Sequence, residues 1–472
     1  MRKVIFISIL LTFCGVTGAQ DGKEKKPVRL VFTTNYQNNL FGYDPVWRRW
    51  TDGSLSRALT YINAHRQDMG EDRFALVHCG YIPDVYNLYP GNAVESRVYD
   101  YAGYLKYPET TSFERQGIIF KGKWIWEDTI FPFSEDAADV TYGVFSSEKA
   151  TRGQIAKTEG IDLAVMAVGR EPEIFKVINI DGDTVTVINT GTTGKYIGVA
   201  DFTTAKEFTV RTVDISGFPV DAEYEDHFQP LTDSIRAYYD QSLVRVSGPV
   251  IQSGFLFGPT AYTGLFHRFQ LDVTGADISF FAVPRQEESI PAGDFTFRDV
   301  MRRFRYDNWL DVVELTGEEV YRYLEYTYGL RYNTMRRSTD DLLRLTRDRD
   351  GVLQTQTAVY NLDDAAGIRY QVDVSKPQGR RIRILSMADG SPFDRAGRYR
   401  VAMNSHRLES GYLTRACGLS REQIVERLHW ESNEDIRLML RDWLAKQPEI
   451  IPEKPHNWRV VPESFVESDS VL

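Results

Sequence analysis

The chain has 472 residues, 42% of them hydrophobic and 13% aromatic, which excludes a disordered or low-complexity protein and suffices for two or three globular cores. Its formal charge of −10 argues against non-specific binding to nucleic acid or anionic lipid, although a local basic pocket stays open. Cys14, Cys79 and Cys417 are too few and too scattered for a disulfide framework or a zinc knuckle.

The first predicted element is a secretion signal over residues 1–19. Arg2 and Lys3 give a positive start, Val4 to Phe13 an apolar stretch too short to span a bilayer, and Gly15 to Ala19 a run of mostly small residues. Cleavage after Ala19 removes Arg2, Lys3 and Cys14 and takes the charge from −10 to −12. A lipoprotein reading of Leu11-Thr12-Phe13-Cys14 is weakened by bulky Phe13, where a small residue is expected. No later segment is long and apolar enough to cross a membrane. The expectation is an exported, periplasmic or secreted, soluble protein.

Val28 to Thr33 alternates and is β-branched, and Phe74 to His78 is a short apolar run, so both predict strands. Between them, Gly53 to His65 carries Leu55, Leu59 and Ile62 at helical spacing. Strand, helix, strand implies a parallel α/β layer. Glu173 to Asn189 predicts a hairpin, with Asp181-Gly182 at its turn. Asp221 to Leu243 is polar and holds Pro230, after which Ile235, Ala237 and Tyr238 predict a helix. Thr296-Phe297-Arg298-Asp299 and Thr316-Gly317-Glu318-Glu319 are capping-box signatures, and Gly329 is the expected stop of the second helix. Strand-like pieces at Ile368 to Val374, Arg381 to Leu385 and Tyr399 to Met403 make this half α+β. The expected domains are 28–215, a connector 216–243, and 244–465.

Several stretches of the second half, taken in order, resemble one family. They are Gly275-Ala276-Asp277-Ile278-Ser279-Phe280, Ile290-Pro291-Ala292-Gly293-Asp294, Tyr306-Asp307-Asn308 and Leu315-Thr316-Gly317-Glu318-Glu319. Ala366-Gly367-Ile368-Arg369-Tyr370, Tyr399-Arg400-Val401-Ala402-Met403-Asn404-Ser405 and Asn457-Trp458-Arg459 follow. They are similar to the C-terminal domain of the 5'-nucleotidase and 2',3'-cyclic-nucleotide phosphodiesterase family over roughly 235 to 465. The first half resembles that family's calcineurin-like metallophosphatase domain through Leu30 to Asn35, Gly53 to Arg57, Gly160 to Leu163 and Gly194 to Gly198. The resemblance implies an α/β metallophosphatase-like domain of layered sheets flanked by helices, followed by an α+β 5'-nucleotidase C-terminal domain.

It also implies two divalent metals, which clamp phosphate oxygens and acidify the attacking water. The family's ligand positions are degenerate here. Its Asp-x-His falls on Asn35 and Gln37, its bridging Asp on Tyr81, its catalytic His on Ala93, and its late His-x-His on Val168 and Arg170. Of 7 histidines only His65, His78 and His227 precede residue 240, and only His78 ends a strand. His78 is the lone candidate ligand; the alternative is a satisfied polar residue at a strand end. Asn, Gln, Val and Tyr do not supply the ligand field of a hard dication, so no metal cofactor is expected. No Gly-x-Ser-x-Gly elbow, phosphate loop or His-Glu-x-x-His helix replaces it. Asp84 and Glu95 are acids of a kind any chain this acidic offers.

In family members the C-terminal domain holds the nucleobase between two aromatic rings. Those positions match Tyr306, with Asn308 two places on, and His406. The family's phosphate-side Arg position carries Glu287, with Arg285 two residues away. His267 is expected on a helix. Either Tyr306 and His406 clamp a base, or they merely pack or face the cleft. Three readings follow. The favoured one is a catalytically impaired paralogue binding a nucleotide, a nucleoside or a partner protein at the interdomain cleft. The others are an active phosphohydrolase with a rebuilt site, and a structural envelope interaction protein.

Overall fold

The computed structural model describes residues 26–466 apart from 35–38, 80–88, 90–93, 105–111, 127–128, 131–137, 146, 148, 287–288, 305 and 349. The chain divides into two compact units, with the division at His227 and Phe228, inside the helix Ala222–Asp240; residues 45–48 group with the second unit.

The first unit is built on two sheets. Strand Val28–Thr33 lies between Tyr196–Phe202, antiparallel, and Phe74–His78, parallel, and Phe208–Asp214 completes this sheet. The parallel pair is joined through the helix Leu55–Met69, whose N-cap Ser54 Oγ accepts from the Arg57 amide. The second sheet runs in the order Glu173–Ile178, Thr184–Asn189, Leu163–Met166, Val140–Phe145, Ile118–Trp126, Ser112–Arg115. The expected hairpin at Asp181-Gly182 is present, with Gly182 at φ +83°. Alternating residues turn inward from both sheets: Val28, Leu30 and Phe32 meet Val140, Tyr142, Val144, Leu163 and Val165 in one buried cluster. Each such side chain contributes about 1.5–3 kcal/mol by leaving water.

The second unit is α+β. Its five-stranded sheet runs Asp364–Ala366, Ile278–Phe281, Arg398–Asn404, Leu310–Thr316, Leu428–Glu431. A three-stranded sheet orders Ile382–Met387, Ile368–Asp373 and Trp458–Val461. Gly367 links the two at φ +89°, where an added Cβ would stand 2.1 Å from the Asp277 carbonyl oxygen, so only glycine fits. Both predicted capping boxes form: Thr296 with Asp299 and Thr316 with Glu319. Two expectations differ. The helix begins at Ala222, ahead of Pro230 rather than after it, because Asp221 Oδ1 accepts from the Tyr224 amide and starts it early. The helix from Gly317 runs through Gly329 to Arg331; glycine there leaves room for the Gln378 side chain instead of stopping the helix. Among the described residues no helix is long and apolar enough to cross a membrane.

Candidate functional site

In parallel α/β layers ligands gather at the carboxyl ends of the strands. Here Val28–Thr33 and Phe74–His78 run in register with Thr33 opposite His78, so both end at one place. His78 Nδ1 lies 3.2 Å from Thr33 Oγ, and its Nε2 lies 3.2 Å from the Tyr99 hydroxyl. Tyr104 reaches the same Thr33 Oγ at 2.8 Å. Tyr99 belongs to the helix Val94–Ala102, and its ring lies 4.8 Å from the imidazole, with Tyr104 edge-on at 5.6 Å. Cys79 is buried, and burial pushes its thiol well above the usual range, away from the thiolate a metal takes.

The loop expected to match the family's late ligands is described as well. Asn189 Oδ1 accepts from the Val168 amide at 2.8 Å and its Nδ2 donates to the Val168 carbonyl at 2.9 Å. This pins the loop that carries Val168 and exposed Arg170, and neither side chain offers a ligand atom. Asn35, Gln37, Tyr81, Ala93 and Asp84 lie outside the described residues, as do the Glu95 side chain and residues 1–19. Among the described residues no three His, Cys, Asp or Glu side chains form a group that could hold a metal ion. The described donors do not fit a pair of dications. His65 bonds the Tyr61 carbonyl of its own helix at 2.8 Å, and His227 packs on Tyr101 of the helix Val94–Ala102.

In the second unit, Leu310 pairs with Asn404 across antiparallel strands. Beyond that pair the Trp309 amide donates to Ser405 Oγ at 3.1 Å and the Ser405 amide donates to the Trp309 carbonyl at 2.9 Å. Trp309 is therefore joined to Ser405, which precedes His406. The Ile436 amide donates to the Asn308 carbonyl, and Arg437 pairs with Asp307, which anchors the segment to the helix Ile436–Ala445. Tyr306 is left 73% exposed. His406 is half-buried; burial, then Arg407, holds its pKa below the ordinary 6.5, so its ring is neutral near pH 7. Arg285 is exposed, and its carbonyl accepts from Gln252 Nε2 at 2.6 Å; Glu287 lies outside the described residues. His267 is on a helix as expected and is bonded on both ring nitrogens, to Ser279 and Asp364.

Three residues of these sites went unread in the sequence: Tyr99, Tyr104 and Asp311. The partners of the tyrosines lie 21 and 71 positions away, beyond any local pattern. Asp311, on a strand with both neighbours apolar, is 3% exposed, its Oδ1 has no hydrogen-bond partner among the described residues, and burial raises its carboxyl to about 7. A charged residue inside the run Leu310 to Val313 was the available signal.

Two layered sheets with flanking helices, followed by an α+β unit, make up the architecture. Residues 253–415 match the family model for the 5'-nucleotidase C-terminal domain. The chain is 30% identical over 189 residues to the trifunctional nucleotide phosphoesterase protein YfkN of Bacillus subtilis, covering 37% of this chain and 12% of that one. It is 28% identical over 205 residues to a 2',3'-cyclic-nucleotide 2'-phosphodiesterase/3'-nucleotidase of Salmonella typhimurium, covering 40% of this chain and 29% of that one. The matches thus span less than a third of either relative. A Staphylococcus aureus crystal structure, described as a candidate 5'-nucleotidase in complex with alpha-ketoglutarate, superposes with a TM-score of 0.60 at 13% identity, over 92% of this chain and 99% of that one, and shares the fold. Within the second unit, residues 253–415 therefore carry a 5'-nucleotidase C-terminal domain.

Proposed function

We propose that this is an exported member of the family that binds a nucleotide or nucleoside through its second unit while the hydrolytic centre of its first unit is silent. The family's chemistry is the hydrolysis of nucleotide phosphoesters. The relatives named above are phosphoesterases or nucleotidases, which supports a nucleotide ligand here. The observation that carries the reading is the double hydrogen bond between Trp309 and Ser405, which joins the segment of exposed Tyr306 and half-buried Asn308 to the one that carries His406. Two ring faces and a side-chain amide on adjoining segments suit a flat heterocycle: the rings stack, and the amide reads its edge.

Thermal melting with adenosine and AMP tests it. A ligand at a hundred times its Kd should stabilise the chain by roughly 2.7 kcal/mol. No shift with any nucleoside or nucleotide would leave a structural envelope role. A phosphatase assay with Mn, Zn or Co against AMP, 2',3'-cyclic AMP and an aryl phosphate tests the silent centre. Turnover abolished by a chelator would make the chain a working hydrolase.

A further inference from the structure

We infer that the strand tips of the first unit hold a hydroxyl–imidazole cross-link where the family holds metals, and that this link ties the helix Val94–Ala102 to the sheet. The inference rests on the silent-centre half of the proposed function and says what occupies that centre instead. Four side chains from separate elements join in one line: Tyr104 to Thr33 at 2.8 Å, Thr33 to His78 at 3.2 Å, and His78 to Tyr99 at 3.2 Å. Thr33 ends one strand, His78 ends the next, and Tyr99 comes from the helix. A hydroxyl both donates and accepts, and an imidazole with one N–H does the same, so these four groups can bond along the line in either direction.

A dication at this place would take a histidine lone pair at about 2.0–2.1 Å in the plane of the ring. Both in-plane positions of His78 already face hydroxyl groups. Its face is covered as well. Tyr99 lies 4.8 Å away and tilted, Tyr104 is edge-on at 5.6 Å, and the two tyrosine rings meet at 4.9 Å. Thr33 is fully buried and Tyr104 is 9% exposed, so the bond between them lies out of bulk water, while His78 and Tyr99 are half-buried. Beneath them the Cys79 amide donates to the Thr33 carbonyl at 2.6 Å, fixing the register that brings the two strand ends level. A metal pair and this line perform one mechanical task, holding strand ends and a covering helix together. The described residues perform it with neutral groups.

The test is metal content together with thermal melting of the full chain. After dialysis the chain should carry no stoichiometric Zn, Mn or Fe, and neither EDTA nor added Mn should move Tm. Tyr99→Phe and Tyr104→Phe keep the rings and remove only the hydroxyls. Each should lower Tm by several degrees, and the double variant by less than the sum, because the bonds share one line. His78→Gln, which bonds through an amide, should fold with a Tm between those of the wild type and His78→Ala. One metal or more per chain with a Tm that EDTA lowers would overturn the inference. So would Tyr→Phe variants that melt with the wild type. Metal content is independent of nucleoside binding, and bound metal without turnover would defeat this inference while leaving the silent centre standing.

Discussion

Arg407 grips Asp363 with Nε to Oδ2 at 2.6 Å and Nη2 to Oδ1 at 3.0 Å, both side chains 2% exposed. Tyr323 donates to the same carboxylate at 2.8 Å. Arg407 follows His406 directly, so the ion pair seats the segment that carries the second candidate ring. Arg407→Met removes the cation and leaves the carboxylate buried, which should cost about 3–5 kcal/mol in urea unfolding. Arg407→Met with Asp363→Leu should recover much of that loss. Equal loss in single and double variants would show that packing, not charge, is what Arg407 provides.

Tyr306 separates binding from stability. At 73% exposure, Tyr306→Ala should change unfolding free energy by no more than about 0.5 kcal/mol. If the ring stacks on a base, the same substitution should weaken adenosine roughly 5- to 150-fold, the range of one stacking contact. Because His406 is held below its ordinary 6.5, its ring is mostly neutral between pH 7.5 and 8.5, and affinity should be flat there. Calorimetric titration of wild type, Tyr306→Ala and His406→Ala over that range decides it.

Asp311 should make the fold sensitive to pH. Burial, then Glu431 and Glu409, raise its carboxyl from the ordinary 3.8 to about 7. Between those values the folded chain holds a proton that the unfolded chain has released. This group's contribution therefore falls as pH rises through the window and is least favourable above about pH 7. Asp311→Asn keeps the shape without the charge. It should be more stable than wild type at pH 8, with the gap closing towards pH 4. A gap that does not vary with pH would place the ionisation elsewhere.

Much of this architecture could be read locally. Alternation at Val28 to Thr33, the apolar run before His78, two Thr capping boxes and the Asp181-Gly182 turn all act within a few residues, and all were predicted. Non-local terms decided the rest. Gly329 has the chemistry of a helix stop, but the Gln378 side chain lies against it and the helix passes through. Pro230 sits inside a helix that Asp221 had already started. The family's metal-ligand positions were read through the resemblance alone, and Asn35, Gln37, Tyr81 and Ala93 lie outside the described residues. The line of Thr33, His78, Tyr99 and Tyr104 was not legible, because these residues are joined only by the fold. The joining of the segments that carry Tyr306 and His406, through Trp309 and Ser405, required the register Leu310 with Asn404, which no single segment specifies.

The capping box at Thr316 carries a second duty. Thr316 Oγ accepts from the Glu319 amide, and Glu319 Oε2 accepts from the Thr316 amide at 2.8 Å while Arg427 meets both its carboxylate oxygens at 2.8 and 2.9 Å. Burial works to raise the Glu319 pKa, but Thr316 and Arg427 outweigh it and hold it below the ordinary 4.5. Its contribution is present above that value and lost as pH falls through the lower folded pKa. Thr316→Ala should cost about 1 kcal/mol. Glu319→Ala should cost more at pH 7, and the excess should shrink in acid. Denaturant curves at pH 7 and pH 3 make the comparison.

A serine, a histidine and an aspartate meet in the second unit, and they should not be a catalytic triad. His267 Nδ1 lies 2.9 Å from Ser279 Oγ and its Nε2 lies 2.9 Å from Asp364 Oδ1. In a working triad the serine faces Nε2 and the acid faces Nδ1, so the imidazole is presented the other way round. Ser279 is 0% exposed, His267 4% and Asp364 3%, which leaves no path for a substrate carbonyl. Ser279 also bonds Gln270, and Trp458 Nε1 donates to Asp364 Oδ2 at 3.1 Å, so the set is spent on joining a helix and two strands. A fluorophosphonate probe should therefore fail to label the folded chain. Ser279→Ala should leave any esterase background unchanged while costing about 1–3 kcal/mol, since it strands a buried histidine nitrogen. Labelling that Ser279→Ala abolishes would show that the core opens to solvent and that the triad is functional.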